Sequence, residues 1–116
     1  MLKARSPLPL FADESFHFAA DAERCAEGFH GVNVKLIKTG GISAGCDALQ
    51  AARKAGLKTM LGCMIESSLL ITAAAHLAEL TDYLDLDGNV EICSGTGRTV
   101  FRTQSARLCR CGASET

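Results

Sequence analysis

Short apolar runs alternate with longer stretches of helical period along the first three quarters of the chain. The first run, residues 8–12, ends in Asp13-Glu14-Ser15, where Ser15 is placed to cap a helix over residues 16–27 that Gly28 closes. A second run, residues 31–36, leads into Lys38-Thr39-Gly40-Gly41, a loop rich in residues that permit unusual backbone angles. A helix over 43–55 follows, with Ala44, Ala48, Ala51, Ala52 and Ala55 forming a small-residue face and Gly56 as its stop. The third run, 58–63, precedes Ser67 and Ser68 as candidate caps of an apolar helix ending at Leu80, and the fourth, 83–87, ends at Gly88. Four strands separated by helices predict an α/β fold with a parallel sheet joined by right-handed crossovers.

Length narrows that prediction. A closed eight-stranded β/α barrel takes about 250 residues, so 116 residues allow about four of its strands, a partial barrel, or a small flavodoxin-like sheet. Asp13, Lys35, Cys63 and Asp85 recur at intervals of 22, 28 and 22 residues, each at or near the C-terminal end of its strand. Ligands bind at that edge in parallel β/α folds, and the shared position favours an arc of one barrel mouth.

Charge divides the chain unevenly: residues 1–91 carry 8 basic and 12 acidic groups, residues 92–116 carry 4 and 1. The first segment is expected to fold as one unit. The second, with Cys93, Cys109 and Cys111 and no apolar period, is expected to be poorly ordered or out of frame. Its arginines lack the aromatic partners of a nucleic-acid-binding arm, so no nucleic-acid partner is expected. The six cysteines include no C-x-x-C pair, which speaks against a thiolate metal site. No apolar run reaches the roughly 18 residues of a membrane span, and the start lacks the apolar stretch of a secretory signal. A cytoplasmic protein with reduced thiols is the expectation.

Four positions carry candidate chemistry. Asp13 is either a capping or surface charge or a hard oxygen ligand of the kind Mg²⁺ prefers. Lys35 alternates with Val34 and Leu36 and so shares a face with Asn33. A lysine inside a parallel strand must be neutralised, be paired, reach solvent at an edge or serve as an acid/base group. Asp85 and Asp87 share a face opposite Leu86. Two such carboxylates repel unless they are solvated or a metal or substrate ammonium lies between them. Lys38 is expected to be a solvated charge, and His17, His30 and His76 are expected to be structural.

These segments together resemble a known family. Phe11-Ala12-Asp13-Glu14-Ser15, residues 32–41 (VNVKLIKTGG), Gly62-Cys63-Met64-Ile65-Glu66-Ser67 and Asp85-Leu86-Asp87-Gly88 are similar, in order and spacing, to the C-terminal half of dipeptide epimerases. These are the L-Ala-D/L-Glu epimerase type, in the muconate-lactonizing branch of the enolase superfamily. The resemblance implies strands 5 to 8 of a (β/α)8 barrel and a Mg²⁺-dependent isomerase acting on a dipeptide. By the same resemblance Asp13 is the third metal carboxylate and Lys35 one of two acid/base lysines. Asp85 and Asp87 bind the substrate α-ammonium group, and Cys63 and Ile65 line the substrate site. The reaction implied is 1,1-proton transfer through an enediolate. The pairing of a lysine base with Mg²⁺ is general to enolase-superfamily sites and comes with the resemblance.

In that family the second lysine, two metal carboxylates and a capping domain lie in elements that have no match here. The resemblance therefore implies a fragment, inactive alone. Other enzymes of the branch are the alternative reading: a cycloisomerase, an o-succinylbenzoate synthase or an N-acylamino acid racemase. A non-catalytic half-barrel that self-associates through its open sheet edges is a third.

Overall fold

The computed structural model describes residues 3–88; the expectations about residues 92–116 lie outside the described residues. Four parallel strands, β1 (Phe11–Ala12), β2 (Gly31–Lys35), β3 (Lys58–Gly62) and β4 (Tyr83–Asp85), form one sheet in the order β1-β2-β3-β4. Each neighbour in sequence is a neighbour in space. A flavodoxin-like sheet reverses its strand order at a switch point, so the consecutive order removes that alternative and leaves an arc of a barrel.

Helices α1 (Ala22–Gly28), α3 (Ile42–Lys54) and α4 (Ser68–Ala75) connect the strands, and a single helical turn, α2 (Leu36–Thr39), precedes α3. The buried side of the sheet carries Val32, Val34, Thr59 and Leu61, each at 0% exposure, joined by Ala48, Leu49 and Ala52 of α3. Small residues let α3 lie close: a Cβ on Gly45 would stand 2.4 Å from Leu36 Cδ2. The helix ends as expected at Gly56, whose φ of 75° permits the bond from Leu57 N–H to the Ala52 carbonyl, 3.0 Å. Ser67 is the cap of α4, its hydroxyl accepting from Leu70 N–H at 3.4 Å.

Two local expectations are corrected. The first helix begins at Ala22, not at residue 16, because the Asp21 carboxylate accepts the N–H groups of His17 and Phe18, each at 3.0 Å. That capture holds residues 16–18 in a non-helical loop and sends Phe16 into the core, 1% exposed; Ser15 offers its carbonyl to Arg24 and Cys25 instead. The expected loop at 38–41 is partly helical, since α2 continues to Thr39 before Gly40, at φ 94°, ends it. β1 is shorter than the apolar run, in keeping with Pro7 and Pro9, which have no N–H to donate.

Asp82 ties the start of β4 to β3. Its Oδ2 accepts the Thr59 N–H at 2.8 Å and the Thr59 hydroxyl at 3.2 Å. The backbone N–H bond is the main reason its carboxyl lies below the ordinary carboxylate range. A carboxylate whose folded pKa is depressed contributes stability above its unfolded value, about 3.9, and loses it as pH falls through the folded value. Urea denaturation of Asp82→Asn is therefore expected to show a shallower loss of stability below about pH 4 than the unmodified chain. Equal acid sensitivity of the two proteins would contradict this account.

Candidate active site

Helices cover one face of the sheet, and side chains alternate along each strand. Phe11, Asn33, Lys35, Lys58, Met60, Tyr83 and Asp85 therefore share the opposite face, with Gly31 and Gly62 among them. The pairing of β2 with β3 and of β3 with β4 aligns Lys35, Gly62 and Asp85 in one row, each the last residue of its strand. The glycines in this face have a steric reason. A Cβ on Gly62 would stand 2.5 Å from Asn33 Oδ1, and one on Gly31 would stand 2.4 Å from Phe11 Cε1. Each lets a neighbouring side chain lie flat across the strand.

Asp13 follows β1 directly and is the centre of the polar cluster. Lys35 Nζ lies 3.0 Å from its Oδ2 and Lys38 Nζ 2.9 Å from its Oδ1. The Asn33 amide donates to Oδ2 at 3.2 Å. Lys38 also donates to the Asp13 backbone carbonyl at 2.7 Å, so it grips both main chain and side chain. Partial burial pushes the Asp13 carboxyl up, but the hydrogen bonds and positive charge of Lys38 and Lys35 outweigh it and leave the group below its ordinary value.

Lys38 corrects the expectation of a solvated charge: its side chain is 13% exposed. Lys35 ends a strand and Lys38 stands three residues later on the helical turn α2, so both ammonium groups reach one carboxylate. The K-x-x-K spacing is the available signal, and it points to a shared partner only once residues 36–39 form a helical turn.

Cys63 leaves β3 beside this row. Its thiol donates to the Asp85 carbonyl at 3.3 Å and its sulfur accepts the Gly88 N–H at 3.2 Å. Burial, the largest influence, raises the thiol above its ordinary value. Cys63 thus acts as a tether between the exits of β3 and β4. Met64 adds a residue that the sequence did not single out, its sulfur 3.6 Å from Lys35 Nζ. The loop is held by the nearly buried Glu66, whose carboxylate accepts the Met64 N–H at 2.9 Å. Ile65 is 65% exposed in the same loop. Asp85 and Asp87 are exposed while Leu84 and Leu86 are half-buried against the core, as the alternation predicted, although β4 itself ends at Asp85.

A divalent cation was tested against this donor set. Mg²⁺ requires several oxygen ligands in near-octahedral array. Among the described residues no group of three histidines, cysteines or carboxylates is placed to hold a metal. The one carboxylate at the centre, Asp13, already has both oxygens taken by donors. The described residues do not fit a magnesium site by themselves.

Comparison with known proteins agrees with the geometry. The L-Ala-D/L-amino acid epimerase of Pedosphaera parvula (strain Ellin514) is 75% identical over 89 residues, covering 77% of this chain and 26% of the relative. Among solved structures, the substrate-liganded L-Ala-D/L-Glu epimerase from Bacillus subtilis superposes with a TM-score of 0.70 at 33% identity, over 76% of this chain and 26% of that one. The dipeptide epimerase from Enterococcus faecalis V583, complexed with Mg and L-Leu-L-Tyr, gives 0.69 at 36% identity, over 74% and 26%. The chain thus spans about a quarter of the length of these relatives, which are isomerases of the enolase superfamily. No helix among the described residues is long and apolar enough to cross a membrane. The family model for the enolase C-terminal domain-like family matches residues 1–93, and with the parallel arc and its aligned strand ends this chain belongs to that family.

Proposed function

We propose that this chain forms the part of a dipeptide epimerase that carries one acid/base lysine and the carboxylates that bind the substrate amine. The row Lys35–Gly62–Asp85 at the C-terminal edge of the sheet carries this reading. Two strand spacings separate Lys35 from Asp85, about 10 Å. A dipeptide fits between them, its α-ammonium group at Asp85 and Asp87 and its Cα–H toward Lys35. The cation removes the repulsion between the two acids.

In 1,1-proton transfer one basic group takes the α-proton from one face and a second group returns a proton to the other face, so the configuration inverts. Lys35 serves one face: as free amine it accepts the proton and as ammonium it donates one. Asp13 holds the Lys35 ammonium, with Asn33 and Lys38 fixing the carboxylate. Cys63 and Ile65 are proposed to wall the substrate site. Asp13 is also the carboxylate that this chain would contribute to a Mg²⁺ site whose remaining ligands lie outside the described residues. Two relatives complexed with Mg and a dipeptide support a metal requirement in the family.

The test uses residues 8–88 exchanged into the matching stretch of the Pedosphaera parvula relative. The hybrid is expected to epimerise L-Ala-L-Glu, and Lys35→Ala to lower kcat by about 10²–10⁴. A hybrid that turns over while its Lys35→Ala form is equally fast would remove Lys35 from the mechanism. Asp85→Asn/Asp87→Asn in the same hybrid is expected to raise KM on the order of 30-fold for a free dipeptide. Turnover of an N-acetylated substrate should be spared; an equal loss on both substrates would favour an N-acylamino acid racemase. The 116-residue chain on its own, with one such lysine, is expected to exchange the α-proton of L-Ala-L-Glu for deuterium no faster than its Lys35→Ala variant, as followed by proton NMR with Mg²⁺ present.

A further inference from the structure

Asp85 and Asp87 are both exposed, but the fold places them by different means. Asp85 is the last residue of β4 and is held by the ladder, paired with Gly62 of β3. It faces the concave side of the arc, across which the rings of Phe11 and Tyr83 meet edge to face with centroids 5.6 Å apart. Asp87 lies past the last ladder pair, so no strand pairing fixes it. Its segment is held instead by a joint to the loop after β3. The Cys63 thiol donates to the Asp85 carbonyl at 3.3 Å and its sulfur accepts the Gly88 N–H at 3.2 Å. One sulfur thus grips the chain on both sides of Leu86-Asp87.

Gly88 is a glycine for steric reasons. Its φ is not positive, unlike those of Gly40, Gly41 and Gly56. A Cβ there would overlap the Met64 carbonyl oxygen and stand 2.9 Å from Cys63 Sγ. The carbonyl belongs to the main chain and cannot rotate aside. The loop that carries it is also the firmer side of the joint: Cys63 directly follows β3, and the Met64 N–H is held at 2.9 Å by Glu66, which is 6% exposed. A side chain at position 88 would therefore displace residues 86–88 rather than the loop. The same loop places Met64 Sδ 3.6 Å from Lys35 Nζ, so the joint fixes the two acids relative to the lysine as well.

Resting on the reading of Asp85 and Asp87 as the pair that binds the substrate amine, we propose that Gly88 and Cys63 are positioning residues for that binding. The joint between them sets Asp87 beside Asp85, so that both carboxylates meet one ammonium group. Neighbouring carboxylates repel, and a free segment would let Asp87 swing away from Asp85. A pair held in place before the cation arrives loses less freedom on binding and binds the cation more tightly. Cys63 acts here through the main chain of residues 85–88, a role separate from any contact of its own with substrate.

The test uses the hybrid carrying residues 8–88 in the Pedosphaera parvula relative, with KM and kcat measured on L-Ala-L-Glu. Gly88→Ala is expected to raise KM on the order of tenfold and to change kcat much less. In the Asp87→Asn background the same substitution is expected to add less than about twofold, because the charge it acts through is already gone. Cys63→Ala removes both bonds without adding bulk, and it carries the test if the added side chain at position 88 unfolds the hybrid. It is expected to raise KM a few-fold, and Cys63→Ser, whose hydroxyl both donates and accepts, to recover part of the loss. In the 116-residue chain, the Gly88 amide is expected to exchange hydrogen more slowly than in its Cys63→Ala variant, which reads the joint without catalysis. Equal exchange rates overturn the proposal. Unchanged KM in Gly88→Ala and Cys63→Ala, while Asp87→Asn raises it, overturns the proposal and leaves the amine-binding reading standing. A full effect of Gly88→Ala in the Asp87→Asn background overturns it too, since Gly88 would then act elsewhere. If Asp87→Asn itself leaves KM unchanged, the amine-binding reading falls and the proposal falls with it.

Discussion

One-sided cover of a parallel sheet is the constraint on which the rest of this molecule depends. Alternation of side chains along a strand means that residues facing α1, α3 and α4 force their neighbours onto the other side. Val32, Val34 and Leu61 are fully buried, and Asn33, Lys35 and Gly62 are thereby presented to the concave face. A slip of one residue in β2 would bury Lys35 and expose two valines. The apolar core thus also orients the polar site.

The electrostatic cluster at Asp13 is built on that orientation. Two ammonium groups with side chains 11% and 13% exposed share a carboxylate that is 38% exposed. Taking lysines out of water costs energy that a partly solvated pair recovers only in part, so the cluster is better understood as geometry than as stability. Lys38 bonds to the Asp13 carbonyl as well as to its side chain. It thereby fixes the end of β1 relative to β2, and Lys35 is held where the strand ends meet. Asn33 is part of the same arrangement: its Nδ2 serves Asp13 while its Oδ1 is buried without a hydrogen-bond partner among the described residues.

The arc also explains how a segment spanning about a quarter of its relatives' length keeps a recognisable row of polar strand ends. Each parallel strand presents its last residue at its own C-terminal end, so consecutive pairing alone sets the relative register of the strand ends.

The amino-acid sequence by itself determined a parallel α/β sheet of four strands, while the consecutive strand order that makes it an arc came from the tertiary structure. Runs of five or six residues, glycine stops at Gly28 and Gly56 and a cap at Ser67 are local signals with local causes, and they survived folding. It also determined which strand ends carry Asp13, Lys35, Cys63 and Asp85, because a period of two assigns faces without knowledge of partners. The tertiary structure decided the rest. Whether Lys38 met solvent or Asp13 depended on a helical turn bringing it back across β1. Whether Ser15 or Asp21 organised the first helix depended on which acceptor captured the free N–H groups of residues 17 and 18. Met64 reached Lys35 only through the loop that Glu66 holds. These are contacts between residues far apart in the chain or competing for one donor, and their outcome is set by packing and geometry that local pattern does not encode.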